Sequence, residues 1–163
     1  MRIIQPFLFG LFLTAVLTLG ACKTCDKCEI AAGHLTEAAG CKEILTGNVA
    51  ESQAGLIYEY DGEGTLTMQH INAGFNCCPG VIAAEVEISG NSIMISEFES
   101  QSGCYCLCLF DLSFRIDRLP PGVYILTIKE PYLGQGDPVI EASLDLSDRT
   151  SGEVYFTRTQ YPW

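Results

Sequence analysis

The stretch Cys104 to Ile116, CYCLCLFDLSFRI, constrains this chain more than any other. Every even position in it is cysteine or apolar: Cys104, Cys106, Cys108, Phe110, Leu112, Phe114 and Ile116. The odd positions turn polar in the second half, at Asp111, Ser113 and Arg115. Successive side chains of a strand point to opposite faces, so this pattern predicts a strand with one continuously buried face. Three cysteines lie at its head, and Asn76-Cys77-Cys78-Pro79 upstream supplies two more. The expectation is a β-domain stapled by cysteines at one end of its central strand.

The flanking sequence repeats the strand signal. Gly55 to Tyr60 is short and is followed by the turn cluster Asp61-Gly62-Glu63-Gly64. Thr65 to Asn72 alternates, with Leu66, Met68 and His70 on one face. Val81 to Ser89 places Ile82, Ala84, Val86 and Ile88 inward and Glu85 and Glu87 outward. Gly90-Asn91 is a two-residue hairpin signal. It pairs Ile88 with Ile93 and Val86 with Ile95, and sets Glu97 inward opposite Ala84, where a rim position is expected because unpaired carboxylates are rarely buried. Tyr124 to Lys129, Val139 to Leu146 and Gly152 to Gln160 complete about eight strands, with no strong helix. Leu119-Pro120-Pro121-Gly122-Val123-Tyr124 resembles the tyrosine corner of Greek-key sandwiches, in which the phenol bonds backbone across the corner. The 163 residues suit one domain. The fold class is therefore all-β: a Greek-key-like, disulfide-stapled β-sandwich of immunoglobulin-like or transthyretin-like type.

The N-terminus carries an address. Arg2 precedes the apolar run Ile3 to Leu19, which is at the short limit for a stable membrane span. Leu19-Gly20-Ala21-Cys22 then resembles the lipobox of bacterial lipoprotein precursors. That resemblance implies a signal peptide over residues 1–21, cleavage before Cys22, and lipid on the Cys22 sulfur and usually on the new amino group. It also implies a cell-envelope protein whose partner is a bacterial membrane. Lys23 in place of Asp implies the outer membrane if the cell has two. Two or three acyl chains hold a domain to a bilayer far better than one. Residues 22–53, small and polar, are expected to form a tether, with a short helix possible over Glu37 to Leu45. The sandwich would occupy residues 54–163. Loss of Arg2 leaves 8 basic residues against 20 acidic, a balance that argues against nucleic acid as a partner.

With Cys22 lipidated, eight of the nine cysteines remain, an even number in an oxidising compartment. Cys25, Cys28 and Cys41 fall in the tether; Cys77, Cys78, Cys104, Cys106 and Cys108 fall in the domain. Both groups are odd, so full oxidation within one chain requires a bridge between them. Cysteines two apart on a strand have Cα atoms roughly 6.6 Å apart with parallel Cβ vectors, which disfavours bridges within the CxCxC run. Those three should look across to other segments, with Cys77 and Cys78 the nearest partners. A strained bridge between Cys77 and Cys78 themselves is the other arrangement. The alternative use of the same residues is a soft metal site for zinc or copper, built from His70, Cys77, Cys78, Cys104, Cys106 and Cys108.

Catalytic motifs are missing. No G-x-S-x-G, H-E-x-x-H or phosphate loop is present, and Gly134-Gln135-Gly136 lacks the strand and helix of a nucleotide fingerprint. Of the two histidines, His34 falls in the tether and His70 on a strand face with Leu66 and Met68. Cys25-x-x-Cys28 has the spacing of a thiol-redox motif but no βαβ context. NCCP, the CxCxC strand and the terminal Tyr161-Pro162-Trp163 together resemble a group of secreted bacterial proteins that implies no activity. The sequence is read as a non-catalytic binding or structural lipoprotein without a cofactor, with a metal-binding or metallochaperone role as the alternative.

Overall fold

The computed structural model describes residues 30–42 and 52–159. Residues 1–21, read above as a signal peptide, lie outside them, as do Cys22, Cys25, Cys28 and Tyr161-Pro162-Trp163. Among the described residues there are nine strands and no helix: β1 (Ala32–Ala38), β2 (Gln53–Tyr60), β3 (Leu66–Asn76), β4 (Ile82–Ser89), β5 (Ser92–Glu99), β6 (Leu107–Asp117), β7 (Val123–Lys129), β8 (Ile140–Asp145) and β9 (Thr150–Thr157). They form two sheets, one ordered β1-β6-β3-β2-β9 and the other β4-β5-β7-β8. The protein is a disulfide-stapled β-sandwich. All strand pairs are antiparallel except β5 with β7.

The alternating residues meet between the sheets. Leu112, Phe114 and Ile116 of β6 face Ile93 and Ile95 of β5 and Leu126 and Ile128 of β7 across a common buried cluster. Each such side chain, fully withdrawn from water, stabilises the fold by about 1.5–3 kcal/mol. The β4–β5 hairpin has the register that its turn dictates: Ile88 opposite Ile93, Val86 opposite Ile95, Ala84 opposite Glu97. Gly90 takes φ 56°, a backbone conformation that glycine adopts without steric cost. At the corner after β6, the Tyr124 hydroxyl donates to Pro120 O at 2.8 Å. Tyr60 donates from β2 to Leu119 O at 2.9 Å, so two phenols hold the same corner.

Three features depart from the alternation. The stretch read as a tether contains β1, which pairs along β6 from Ala32–Asp117 to Ala38–Leu112. The strand count is thus nine rather than about eight. Glu37 and Ala38 end that strand instead of starting a helix, and residues 43–45 lie outside the description. An exposed edge strand shows a weak period because only one side of it is covered: Gly33 and Leu35 are half-buried, and His34 and Thr36 are exposed. The central strand starts at Leu107 rather than Cys104, so Cys106 is exposed while Cys108 is buried. Finally, β3 has a bulge. His70 pairs with Leu112 but Ala73 with Phe110, and Asn72 sits at φ 64°. The extra residue shifts the inward set from Leu66, Met68 and His70 to Ala73 and Phe75. Phe75 then meets Phe110 edge-on, with ring centroids 5.9 Å apart.

Candidate functional site

The cysteines gather at one end of the sandwich. Cys77 is bonded to Cys106, Cys78 to Cys104, and Cys41 to Cys108. No bridge joins Cys77 to Cys78, and none lies within the CxCxC run. The third bridge ties the segment after β1 to the central strand. Asn76, the last residue of β3, organises this end. Its side-chain amide donates to Cys104 O at 2.6 Å and accepts from the backbone N–H groups of Cys78 at 2.8 Å and Cys104 at 3.1 Å. Cys77 N–H adds a bond to Cys106 O at 3.1 Å. Between the two bridged cysteines, Tyr105 stands fully exposed. Asn76, Cys104, Tyr105, Cys106 and Leu107 line a shallow hollow of about 370 Å³.

These bonds bear on the metal alternative. Five of its six proposed donors are cysteines, and all five sulfurs are spent in disulfides, which offer no thiolate. The sixth, His70, is not at the cysteine end's surface. It is fully buried between the sheets, with Nδ1 2.8 Å from Glu97 Oε1.

His70 belongs to a second cluster. Glu97 is 5 % exposed, not a rim residue, because the imidazole supplies the partner that a buried carboxylate needs. On the other side of the ring, Nε2 stands 3.7 Å from Glu130 Oε1. Glu130 is held in turn by the guanidinium of Arg158, which also donates to Pro138 O. Beside it, Asp137 accepts from the Thr159 N–H at 3.0 Å and hydroxyl at 2.7 Å. Burial pushes the His70 imidazole down, but the charge and hydrogen bond of Glu97 and the charge of Glu130 outweigh burial and Arg158, so its pKa is raised. Burial also raises the Glu130 carboxyl, aided by Glu97, against the pull of His70 and Arg158. The side chains of His70, Glu97, Glu130 and Arg158 are all withdrawn from solvent.

Glu130 and Arg158 were not singled out in the sequence, though a signal for them exists. Each member of the cluster stands one strand period beyond an inward run: Leu66, Met68, His70; Ile93, Ile95, Glu97; Leu126, Ile128, Glu130; Val154, Phe156, Arg158. Four runs that end in complementary charges form one polar layer in the core. Elsewhere, the outer face of the larger sheet has a groove of about 540 Å³, floored by Ile57 and flanked by Glu59, Thr67, Gln69, Ser113 and Arg115. No group of His, Cys, Asp and Glu among the described residues is arranged to hold a metal ion. No described helix is long and apolar enough to cross a membrane.

The fold and these sites define a disulfide-stapled β-sandwich whose one end is built around cystines. No protein-family model, curated protein or solved structure matches the chain.

Proposed function

We propose that this protein is a cell-envelope lipoprotein, held to a bacterial membrane by acyl chains on Cys22, whose sandwich serves as a non-catalytic binding or structural module. The observation that carries this reading is the pairing of all six described cysteines, since disulfides persist in oxidising compartments outside the cytosol. The lipobox-like Leu19-Gly20-Ala21-Cys22 after an apolar run supplies the matching address, and Lys23 favours the outer membrane where there are two. The topology suits an anchored domain. The chain enters β1 beside Asp117, at the corner end of β6, and the cystine end with Tyr105 lies at the other end of that strand. Eight residues from Cys22 to Ile30 span at most about 28 Å, which keeps the corner end within that reach of the anchor.

The test is Cys22→Ser expressed in a lipoprotein-processing bacterium with labelled fatty acid. The variant loses the label and accumulates as uncleaved precursor. Label retained on the variant would refute the anchor.

A further inference from the structure

We propose that His70, Glu97, Glu130 and Arg158 form a buried one-proton site that clamps the two sheets together, firm while the proton is held and weakened when it leaves. The argument begins with charge. Arg158 is permanently cationic, and Glu97 and Glu130 are two carboxylates beside it. With a neutral imidazole these four groups carry one net negative charge, and the buried Asp137 nearby adds another carboxylate rather than a cation. A proton on the ring offsets part of that charge. An uncompensated buried charge is costly, so the site favours the protonated form.

Geometry assigns the proton. A carboxylate oxygen faces each ring nitrogen of His70: Glu97 Oε1 at 2.8 Å from Nδ1, and Glu130 Oε1 at 3.7 Å from Nε2. A neutral imidazole has one N–H, so one lone pair would face a carboxylate. An imidazolium has two N–H groups and meets both. The contact at 3.7 Å is too long for a hydrogen bond and acts through charge. Among the described residues, His70 Nε2, Glu97 Oε2 and Glu130 Oε1 are buried without a hydrogen-bond partner, which leaves that charge to balance them.

The elements involved make this a clamp. His70 comes from β3 of the larger sheet and Glu97 from β5 of the smaller one. Glu130 follows β7 of the smaller sheet, and Arg158 follows β9 of the larger. Both ion pairs therefore cross between the sheets. The raised pKa values of His70 and Glu130 agree in sign: the folded chain binds more protons than the unfolded one. The His70 contribution is then fully present below about pH 6.5, the unfolded value, and is lost as pH rises through the folded value.

The experiment follows the histidine ring signals of the oxidised full chain in detergent by NMR from pH 5 to 10, alongside urea unfolding over the same range. His70 is expected to stay protonated well above the free-imidazole midpoint of about 6.5, and stability is expected to fall as the ring loses its proton. Glu97→Gln removes the carboxylate that lies nearest the ring. His70 should then deprotonate at lower pH, and the alkaline loss of stability should disappear. A wild-type ring already neutral below pH 6.5 overturns the proposal. So does a Glu97→Gln variant with an unchanged alkaline slope. If that variant does not fold, the wild-type titration alone decides.

Discussion

Asn76 shows what one side chain contributes here. Its amide closes three backbone groups at the end of β3 where the strand ladder stops, satisfying Cys104 O, Cys78 N–H and Cys104 N–H. Alanine would leave them to water or unpaired. A net hydrogen bond contributes about 0.5–1.5 kcal/mol, so Asn76→Ala is expected to cost about 2–4 kcal/mol in urea unfolding of the oxidised protein. Asn76→Asp keeps the acceptor but turns a carboxylate oxygen toward Cys104 O, close to Glu99, so it should cost as much or more. A loss well below that of alanine would mean that the acceptor carries the effect. The sequence announced Asn76 only as the neighbour of two cysteines, because a side chain's three partners are set by how β3 and the Cys104 loop come together.

Among the elements, β1 was the hardest to foresee and is held by the most specific contact. Gly33 lies against β4 on the neighbouring sheet: a Cβ there would come 2.5 Å from Val86 Cγ1 and 2.9 Å from Ile116 Cγ1. Glycine lets the edge strand close one side of the sandwich. In the sequence, Gly33 fell within the stretch read as a tether, since nothing local distinguishes a flexible glycine from one required by a close neighbour. Gly33→Val is expected to cost about 1–3 kcal/mol through overpacking, with faster hydrogen exchange at the β1 amides than at those of β7. Unchanged stability and β1 protection would show that β1 has room to move.

For the whole molecule the bridges matter most, and their arrangement is nested. Cys77–Cys106 and Cys78–Cys104 have sequence separations of 29 and 26 and close nearly the same loop. Once one is made, the other removes little further freedom from the unfolded chain. A loop of this size is worth about 3–4 kcal/mol in the chain-entropy picture. Replacing either pair by alanines should therefore cost less than half of what replacing both costs, as measured by denaturant midpoints. Additive losses would mean that each bridge acts through local packing instead. Cys41–Cys108 spans 67 residues and encloses β2 to β5 with the nested loop inside it. It still closes the segment from Cys41 to Cys77 when the nested pair is in place, and closure entropy changes slowly with length, so its loss should be nearly additive with theirs.

That the protein is a cysteine-stapled all-β domain could be read from the chain alone, since period-two alternation and turn residues are local signals. The β4–β5 register and the Tyr124 corner were legible for the same reason: a two-residue turn and a Pro-Gly-x-Tyr corner fix geometry within a few residues. The disulfide partners and the place of β1 needed the tertiary structure, as did the meeting of His70, Glu97, Glu130 and Arg158. Alternation shows that each of those four points inward, but not that they point at one another. That depends on the β3 bulge, the parallel β5–β7 pair and the stacking of the sheets, which join residues far apart in the chain. The polar layer arises where four inward runs end at the same depth between the sheets.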